Sequence, residues 1–501
     1  MGMWRLPAAA PGFMCFIQAA VLPANRRQPR ANSGAQTRPP VRRSLTSTPR
    51  ERSSPASIQM LGYTLTHQIK EAVRPYYLRW VYFPFVDGAR PDYFRSCWEY
   101  PYRRLDEAAE LLQGPDSSFE GSDCAVIFYP MNDWHARIQR SQQLARALAS
   151  LGHPIVYLNP HLGRQFERVR LLDRRHRVSC VEEGILELHV RLPREPVFHH
   201  RMLRDAESRT VADAVRQLAE TAGWKRAVQI VSLPIWMEAS RQLRDHLGWP
   251  IVYDCHDHLA GLPNMSPALV AAERDAMGDS DLVLYSSHSL MKDHELSGVR
   301  TKSLLLRNAV EGQCTQPSMP HEEAASTRWV AGYVGAIGPW FDTEAVLRAA
   351  QSNPEFDFVL AGRVENPEVW RLKELPNVSF LGEVPHADLR QLLARFRVGL
   401  IPFLLNDLTR ATNPIKLYEY FSFGLPVVST RLPEVETFAD EVYLCSGPGE
   451  FAAQVRRAML EENEDRRGRR KRIAETETWL ARAKALTVAF PEILSLSGSY
   501  E

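Results

Sequence analysis

The segment Asn406-Asp-Leu-Thr-Arg-Ala-Thr-Asn-Pro-Ile-Lys-Leu-Tyr-Glu-Tyr-Phe-Ser-Phe-Gly-Leu-Pro-Val-Val428 contains both the start and the end of a helix. Asn413 is suited to cap the helix, Pro414 suits its first position, and Gly424-Leu-Pro426 ends it. Apolar residues between these signals recur at helical spacing, and two valines then begin a short buried strand. The segment therefore predicts a helix followed directly by a strand, as in alternating α/β domains.

The N-terminal end of this predicted helix has the properties of an anion site. A helix N-terminus carries unpaired N–H groups and a partial positive charge, and Lys416 and Arg410 add two cations. Such a site suits a phosphate or pyrophosphate. Glu419 lies on the same face as Lys416, where its carboxylate could accept hydrogen bonds from a ribose. The alternative, which the residues alone leave open, is a surface helix with a Lys–Glu pair worth about 0.2–0.5 kcal/mol.

The run Asn413-Pro-Ile-Lys-Leu-Tyr-Glu-Tyr420 resembles the donor-binding signature of GT-B glycosyltransferases, in particular a bacterial polysaccharide-type branch of glycosyltransferase family 4. The resemblance implies two doubly wound Rossmann-like domains that face each other across a cleft. It also implies a metal-independent transfer without a cofactor, in which Asn413, Lys416 and Glu419 hold a nucleotide-diphosphate sugar. One position departs from the pattern. Many family members carry a Glu eight residues before the helix Glu, whereas this chain has Ala411, so the stereochemical outcome cannot be transferred.

Composition is typical of a globular protein. The chain has 501 residues, of which 45% are hydrophobic and 24% charged, enough for two or three domains. Seven scattered cysteines without a Cys-x-x-Cys pair favour reduced thiols in a cytoplasmic protein over disulfides or a zinc site. Residues 1–59 hold nine arginines, no lysine and one glutamate, a net +8, so the remainder of this +2 chain is −6. A mildly acidic body argues against nucleic acid as a partner.

Changes in composition divide the chain into five segments. Residues 1–59, rich in Arg, Pro and Ser, are predicted to be a disordered tail. Residues 60–120 form an extension rich in aromatic and basic residues. Residues 121–310 and 311–475 each alternate short strands with longer helices, which predicts an acceptor domain and a nucleotide-sugar domain. In GT-B relatives, a C-terminal helix such as 476–501 crosses back onto the first domain.

The aromatic extension leaves two interpretations open. Its Trp, Tyr and Arg residues could pack on the core as a lid or arm. The same residue types are favoured at a membrane interface, which would make the protein peripheral to the inner face of a membrane. The chain has no run of about 20 apolar residues, which a membrane-spanning helix needs.

Alternating apolar segments predict the elements of both domains. The predicted strands are 124–129, 155–158, 186–192, 228–233, 251–253, 282–286, 303–307, 329–334, 356–361, 378–381 and 398–402. The predicted helices are 138–151, 202–222, 235–247, 267–278, 289–296, 342–351, 387–396, a charged helix after 461, and 478–484.

A glycine turn follows the first predicted strand of the second domain. In Tyr333-Val-Gly-Ala-Ile-Gly-Pro-Trp-Phe-Asp342, Gly335 and Gly338 allow backbone N–H groups to approach a ligand closely. Most turns with two glycines bind no ligand. In that alternative, Trp340 packs in the core and Asp342 caps the next helix. The segment also resembles the same glycosyltransferase branch, which implies donor binding. Arg363 follows a strand and a glycine, where many relatives place an Arg on the donor pyrophosphate; a solvated surface Arg is the alternative.

The end of a first-domain strand carries the candidates for catalysis. In Ile251-Val-Tyr-Asp-Cys-His-Asp-His258, Asp257 is the favoured base for an acceptor hydroxyl and His256 is a second candidate. The resemblance supports Asp257, which matches the first Asp of a Tyr-Asp-x-x-Asp-Asp run, while His258 replaces the second. A metal site in this segment is disfavoured because adjacent residues rarely converge on one ion. Lys416 would offset charge on the leaving diphosphate.

The loop after the first predicted strand is the remaining candidate. It contains Asp133, Trp134 and Arg137, and in GT-B relatives this loop faces the acceptor. Trp134 could stack on a sugar and Arg137 could hold an anion. The alternative for Asp133 is a helix cap.

These features together predict a glycosyltransferase. The resemblance implies that it moves a sugar from a nucleotide-diphosphate donor to a hydroxyl of a glycan or lipid-linked acceptor. Two alternatives stay open: a sugar-nucleotide epimerase on the same fold, and a catalytically silent protein that binds nucleotide-sugars.

Overall fold

The computed structural model describes residues 102–112, 124–135, 138–160, 176–192, 201–262, 265–312, 328–461 and 463–497. All of them belong to one unit, Val73–Glu501. The predictions for the N-terminal tail, for most of the aromatic extension and for Arg137 lie outside the described residues.

The first domain is built on a nine-stranded sheet with the order β1-β4-β5-β3-β2-β6-β7-β8-β9. The pairs β1–β4 and β4–β5 are antiparallel, and the other pairs are parallel. Its strands are β1 Tyr102–Arg104, β2 Ala125–Tyr129, β3 Ile155–Leu158, β4 Arg177–Glu182, β5 Ile185–His189, β6 Ala227–Val231, β7 Ile251–Cys255, β8 Leu282–Tyr285 and β9 Ser303–Leu305. Its helices are α1 Ala109–Leu112, α2 Arg140–Ala149, α3 Asp205–Ala222, α4 Met237–Leu247, α5 Pro267–Gly278 and α6 His288–Leu296.

The second domain is built on a six-stranded parallel sheet with the order β12-β11-β10-β13-β14-β15. Its strands are β10 Val330–Val334, β11 Asp357–Ala361, β12 Val378–Gly382, β13 Val398–Ile401, β14 Val427–Thr430 and β15 Val442–Cys445. The helices of this part of the chain are α7 Thr343–Ser352, α8 His386–Ala394, α9 Asp407–Arg410, α10 Ile415–Ser422, α11 Pro433–Glu436, α12 Pro448–Met459 and α13 Glu464–Thr476. The strand order is that of a Rossmann sheet, in which a ligand crevice forms where the order reverses.

The two doubly wound domains confirm the predicted fold class. Most predicted elements occur within a few residues of their predicted ends. The sequence analysis did not predict β1, β4, β15, α1, α9, α11, α12 or the last helix, α15 Phe490–Ser497. Most of these elements are short, and β1 and β4 form an antiparallel edge on an otherwise parallel sheet.

The C-terminal segment packs against the first domain. Helix α14, Trp479–Thr487, lies on α2, and Trp479 is buried in the same cluster as Leu144 and Leu148. The backbone N–H of Trp479 donates to the carbonyl of Val310, at the junction of the two domains. The chain therefore returns to the first domain after α13.

The described residues include no helix long and apolar enough to cross a membrane.

Candidate functional site

The strand order of the second sheet reverses at β10, which pairs with β11 on one side and β13 on the other. Gly335 is the first residue after β10, and Phe403 lies two residues after β13. Ligands of open α/β sheets bind outside the carboxyl ends of the strands at such a reversal. This point is therefore where a ligand site is expected in the second domain.

The glycine turn after β10 has a steric requirement for glycine. Gly335 has φ +138° and Gly362 has φ +147°, a conformation that other residues rarely adopt. A Cβ at Gly362 would lie 1.8 Å from the carbonyl oxygen of Gly335, and a Cβ at Gly338 would lie 2.6 Å from the ring of Trp340. Asp342 accepts a hydrogen bond from the N–H of Ala345 and so caps α7, the role that the sequence analysis gave as the alternative to ligand binding.

Lys416 lies at this strand reversal. Its Nζ is 5.3 Å from the ring centroid of Tyr333, in β10, and 5.0 Å from that of Phe403. An ammonium over two aromatic faces gains about 0.5–1 kcal/mol per contact at an exposed site. A Cβ at Gly335 would lie 3.2 Å from the Cε of Lys416, so the absence of a side chain there leaves room for the lysine. The first turn of α10 therefore places a cation beside the glycine turn.

Glu419 and Arg410 lie on either side of Lys416 in the sequence. Glu419 is half-buried, and burial raises the pKa of its carboxyl, while Lys416 acts in the opposite direction. Arg410 is exposed at the end of α9. The next residue, Ala411, is 1% exposed and packs in the apolar cluster of the first domain, a place where a Glu would lose its hydration.

Asn413 does not have the position that the sequence predicted. The residue before α10 is Pro414, and no side chain caps this helix. The Asn413 side chain is 1% exposed and is occupied by protein partners. Its oxygen accepts from the N–H of Asn308, and its nitrogen donates to the hydroxyl of Tyr418. The prediction that Asn413 caps this helix was wrong, because its side-chain oxygen instead accepts a hydrogen bond from Asn308, 105 positions away in the sequence.

Arg363 follows β11 at the surface. Its side chain is 59% exposed and forms an ion pair with Glu365. The carbonyl of Arg363 accepts from the N–H of Ile337, which ties this residue to the glycine turn. The structure thus places Arg363 near the predicted site with its guanidinium paired to a neighbour.

The end of β7 holds a buried network of charges. Asp254 accepts a bidentate interaction from Arg140, with Nη2 at 2.8 Å from Oδ1 and Nε at 3.1 Å from Oδ2. Burial alone would raise the pKa of Asp254, but Arg140 and His256 hold it well below its usual range. His256 lies 3.5 Å from Asp254 and 3.9 Å from Asp257, and although burial lowers its pKa, these carboxylates raise it overall. Burial raises the pKa of Asp257.

The Asp257 loop reaches the second domain. The turn Leu259–Gly261 contacts α9, and a Cβ at Gly261 would lie 2.8 Å from the Cβ of Leu408. Because α9 immediately precedes the helix that carries Lys416, the predicted base and the predicted donor cation belong to adjoining walls of the two domains.

The predicted acceptor loop after β2 is more buried than expected. Trp134 is 4% exposed, packs edge-on against Tyr157 at 5.0 Å, and lies under the guanidinium of Arg146. A side chain covered on these sides cannot stack on a sugar, so the structure does not support that role. Asp133 is buried and accepts from the N–H of His135, a local turn of the kind that Asp commonly forms.

Sequence reasoning missed a buried cluster at the carboxyl ends of β2 and β5. Glu187 Oε2 lies 2.8 Å from His135 Nε2 and 2.9 Å from His189 Nε2, and its other oxygen accepts from Asn159. Burial would raise the pKa of Glu187, but the two imidazoles hold it well below its usual range. Glu187 and His189 are two residues apart in β5 and therefore lie on the same face of the strand. This spacing of two ionisable residues in an apolar strand was the sequence signal that could have revealed the cluster.

Within the described residues, Asp133, His135 and Glu187 are the group whose ligand atoms could converge on a metal ion, with all atoms within 4.8 Å of one another. They differ from the His256, Asp257 and His258 considered in the sequence. In the structure, Glu187 already has three protein partners in His135, His189 and Asn159.

Comparison with known proteins agrees with this architecture. Residues 331–461 match the family model for glycosyl transferases group 1. The putative teichuronic acid biosynthesis glycosyltransferase TuaH of Bacillus subtilis is 25% identical over 252 residues, which cover 46% of this chain and 64% of the relative. The chain thus spans a little under two thirds of the length of that relative.

Solved structures share the arrangement of both domains. Sucrose-phosphate synthase from Thermosynechococcus elongatus superposes with a TM-score of 0.55 at 14% identity, over 74% of this chain and 99% of that one. The HepE protein of Anabaena, solved in complex with UDP and glucose, gives a TM-score of 0.53 at 14% identity, with the same coverage. At such identities the likeness concerns the fold. The chain has the GT-B fold, and residues 331–461 of its second domain are similar to the glycosyl transferases group 1 family.

Proposed function

We propose that the protein is a glycosyltransferase that uses a nucleotide-diphosphate sugar. The observation that carries the proposal is the position of Lys416, whose ammonium lies over Tyr333 and Phe403 at the strand reversal of the second sheet. The first-turn N–H groups of α10 add partial positive charge at the same place. A pyrophosphate bound there would meet a helix N-terminus, a lysine and a glycine turn that permits close approach.

The catalytic contribution of this site is electrostatic. As the bond between sugar and diphosphate breaks, negative charge grows on the leaving group, and Lys416 together with the helix N-terminus stabilises it. Glu419, three residues further along α10, supplies a carboxylate for the ribose hydroxyls. Arg410, exposed at the end of α9, adds a cation to the same wall.

The acceptor occupies the first domain, and Asp257 is the proposed base. Its loop contacts α9 of the donor domain. Burial raises the pKa of the Asp257 carboxyl, which makes its carboxylate a stronger base than an exposed one. His256, at 3.9 Å from Asp257, would stabilise the charged form.

The acceptor is proposed to be a growing polysaccharide or a lipid-linked glycan. Support comes from the similarity to TuaH, a putative glycosyltransferase of teichuronic acid biosynthesis. A lipid-linked acceptor would bring the protein to a membrane surface as a peripheral protein, which flotation with liposomes would test.

A thermal-shift screen against UDP-, GDP-, dTDP- and ADP-sugars tests the proposal. We expect one nucleotide to raise the melting temperature of the wild-type protein and to have little effect on Lys416→Ala. UDP-glucose is the first compound to test, since the HepE structure holds UDP and glucose. Lys373→Ala is the control, because Lys373 is an exposed lysine that also lies over an aromatic ring, that of Trp370, and has no part in the proposed site. Stabilisation of Lys416→Ala equal to that of wild type would reject the site.

A further inference from the structure

The two domains are joined by a buried polar contact that has no role in the proposed chemistry. It consists of Arg307 and Asn308, at the end of the first domain, and Asn413 and Glu434, in the second. Glu434 belongs to α11 and is 1% exposed, and Asn308 is 8% exposed. We name these four residues the interdomain clamp.

Glu434 binds the first domain with both carboxylate oxygens. Its Oε1 accepts from the backbone N–H of His288, the first residue of α6, at 2.7 Å. Its Oε2 accepts from the Nε of Arg307 at 2.7 Å. A carboxylate at a helix N-terminus is favoured by the helix dipole. Glu434, from the second domain, therefore stabilises the N-terminus of α6 in the first domain.

Asn308 donates two hydrogen bonds to Asn413. The N–H of Asn308 donates to Asn413 Oδ1 at 2.9 Å, and Asn308 Nδ2 donates to the carbonyl of Asn413 at 2.6 Å. Asn413 Nδ2 in turn donates to Glu434 Oε2 at 3.4 Å, which links the two halves of the clamp. Pairs of this kind fix the distance and the angle between two backbones.

The clamp extends into both halves of the proposed site. On the first-domain side, Arg140 donates to Asn308 Oδ1 and also to Asp254, three residues before Asp257. On the second-domain side, Asn413 is two residues before α10 and three before Lys416. The clamp is therefore linked by hydrogen bonds and short stretches of chain to both the proposed base and the proposed donor cation.

We infer that Asn413 and Glu434 are positioning residues, which set the placement of the Lys416 helix relative to the Asp257 loop. The effect of these residues on catalysis rests on the proposed function, whereas the contact between the domains does not. Removing one partner of a buried charged hydrogen bond leaves the other unsatisfied, so the domains should separate more readily.

Hydrogen exchange read by mass spectrometry tests the contact without any substrate. In Glu434→Gln, peptides that cover residues 286–291 of the first domain should exchange about tenfold faster, although the substitution lies in the second domain. Glu436→Gln is the matched control, because Glu436 is in the same helix, is exposed and pairs with Arg431. If Glu434→Gln does not fold, Arg307→Gln removes the ion pair with Glu434 Oε2 from a partly exposed position, and exchange at residues 286–291 should again rise.

Nucleotide binding tests the consequence. Glu434→Gln should bind the nucleotide found in the thermal-shift screen about tenfold more weakly than wild type. Its kcat should be lower and its KM higher, because the Lys416 helix and the Asp257 loop are displaced relative to each other. Equal exchange at 286–291 in Glu434→Gln and Glu436→Gln would overturn the inference. A wild-type protein that binds no nucleotide, with faster exchange in Glu434→Gln, would instead reject the proposed function and retain the clamp.

Discussion

The α carbon of Gly362 faces the carbonyl oxygen of Gly335 so closely that a Cβ would lie 1.8 Å from that oxygen. Gly335 follows β10 and Gly362 follows β11, so the backbones at the ends of these two neighbouring strands are in close contact at the proposed donor site. The backbone N–H of Gly335 also donates to the carbonyl of Ala361.

We expect Gly362→Ala to disturb this contact. The new methyl group would displace the turn, and φ +147° is unfavourable for alanine, so the loss of stability should be at least about 2–3 kcal/mol. Gly449→Ala is the control, because a Cβ at Gly449 meets no atom within 4 Å in the first turn of α12. Thermal unfolding of both variants measures the difference, and equal midpoints would contradict the steric interpretation.

Lys416→Ala should weaken nucleotide-diphosphate binding about 10–100-fold, the effect of losing a hydrogen bond to a charged group. The rings of Tyr333 and Phe403 would remain in place, so folding should change little. Calorimetric titration with the nucleotide diphosphate measures the affinity. Lys416→Arg should recover part of it, whereas recovery by Lys416→Met would show that charge is not required.

Glu419→Ala should reduce discrimination for the ribose. If the carboxylate accepts hydrogen bonds from ribose hydroxyls, wild type should bind UDP about tenfold more tightly than 2′-deoxy-UDP, and the variant should bind both about equally. The ratio is informative because a general loss of structure would weaken both ligands together. An unchanged ratio in the variant would remove Glu419 from the ribose site.

Asp257→Asn should lower sugar transfer about 10²–10⁴-fold and leave donor binding intact, since a general base contributes about this much. The pKa of Asp257 is raised by burial, so the rate in wild type should rise with pH through a value above the usual one for Asp, and this limb should vanish in the variant. Asp275→Asn, exposed on α5, is the control. Normal transfer by Asp257→Asn would assign the base to another group, with His256 the next to test.

Glu273 predicts a pH dependence of stability. Burial raises its pKa from 4.5 to about 7, beside Tyr253 and Cys255. The folded state therefore holds this proton when the unfolded state has released it, so the contribution of Glu273 to stability falls as pH rises from about 4.5 to about 7. Glu273→Gln should be more stable than wild type at pH 8 and about equal at pH 4. Urea unfolding at both pH values measures this, with the exposed Glu295→Gln as control.

Local patterns were sufficient to predict the alternation of strands and helices and the residues of the Lys416 helix. Apolar spacing and glycine signals act within one element, and Lys416 and Glu419 share a helical face whatever surrounds them. The same reasoning did not predict the antiparallel β4, because its mixture of polar and apolar residues differs from the continuous apolar runs that mark buried parallel strands. It also did not predict the four-residue β15.

Tertiary structure decided the roles of several side chains that the sequence left open. Asn413 was suited to cap a helix, but its side-chain oxygen accepts a hydrogen bond from the backbone N–H of Asn308 instead. Trp134 was suited to stack on a sugar, but Tyr157 and Arg146 cover it. The sequence by itself determined the types of element and the spacing within them, because these follow from local backbone geometry. Which side chains face the cleft depended on partners from distant parts of the chain, which only the folded structure brings together.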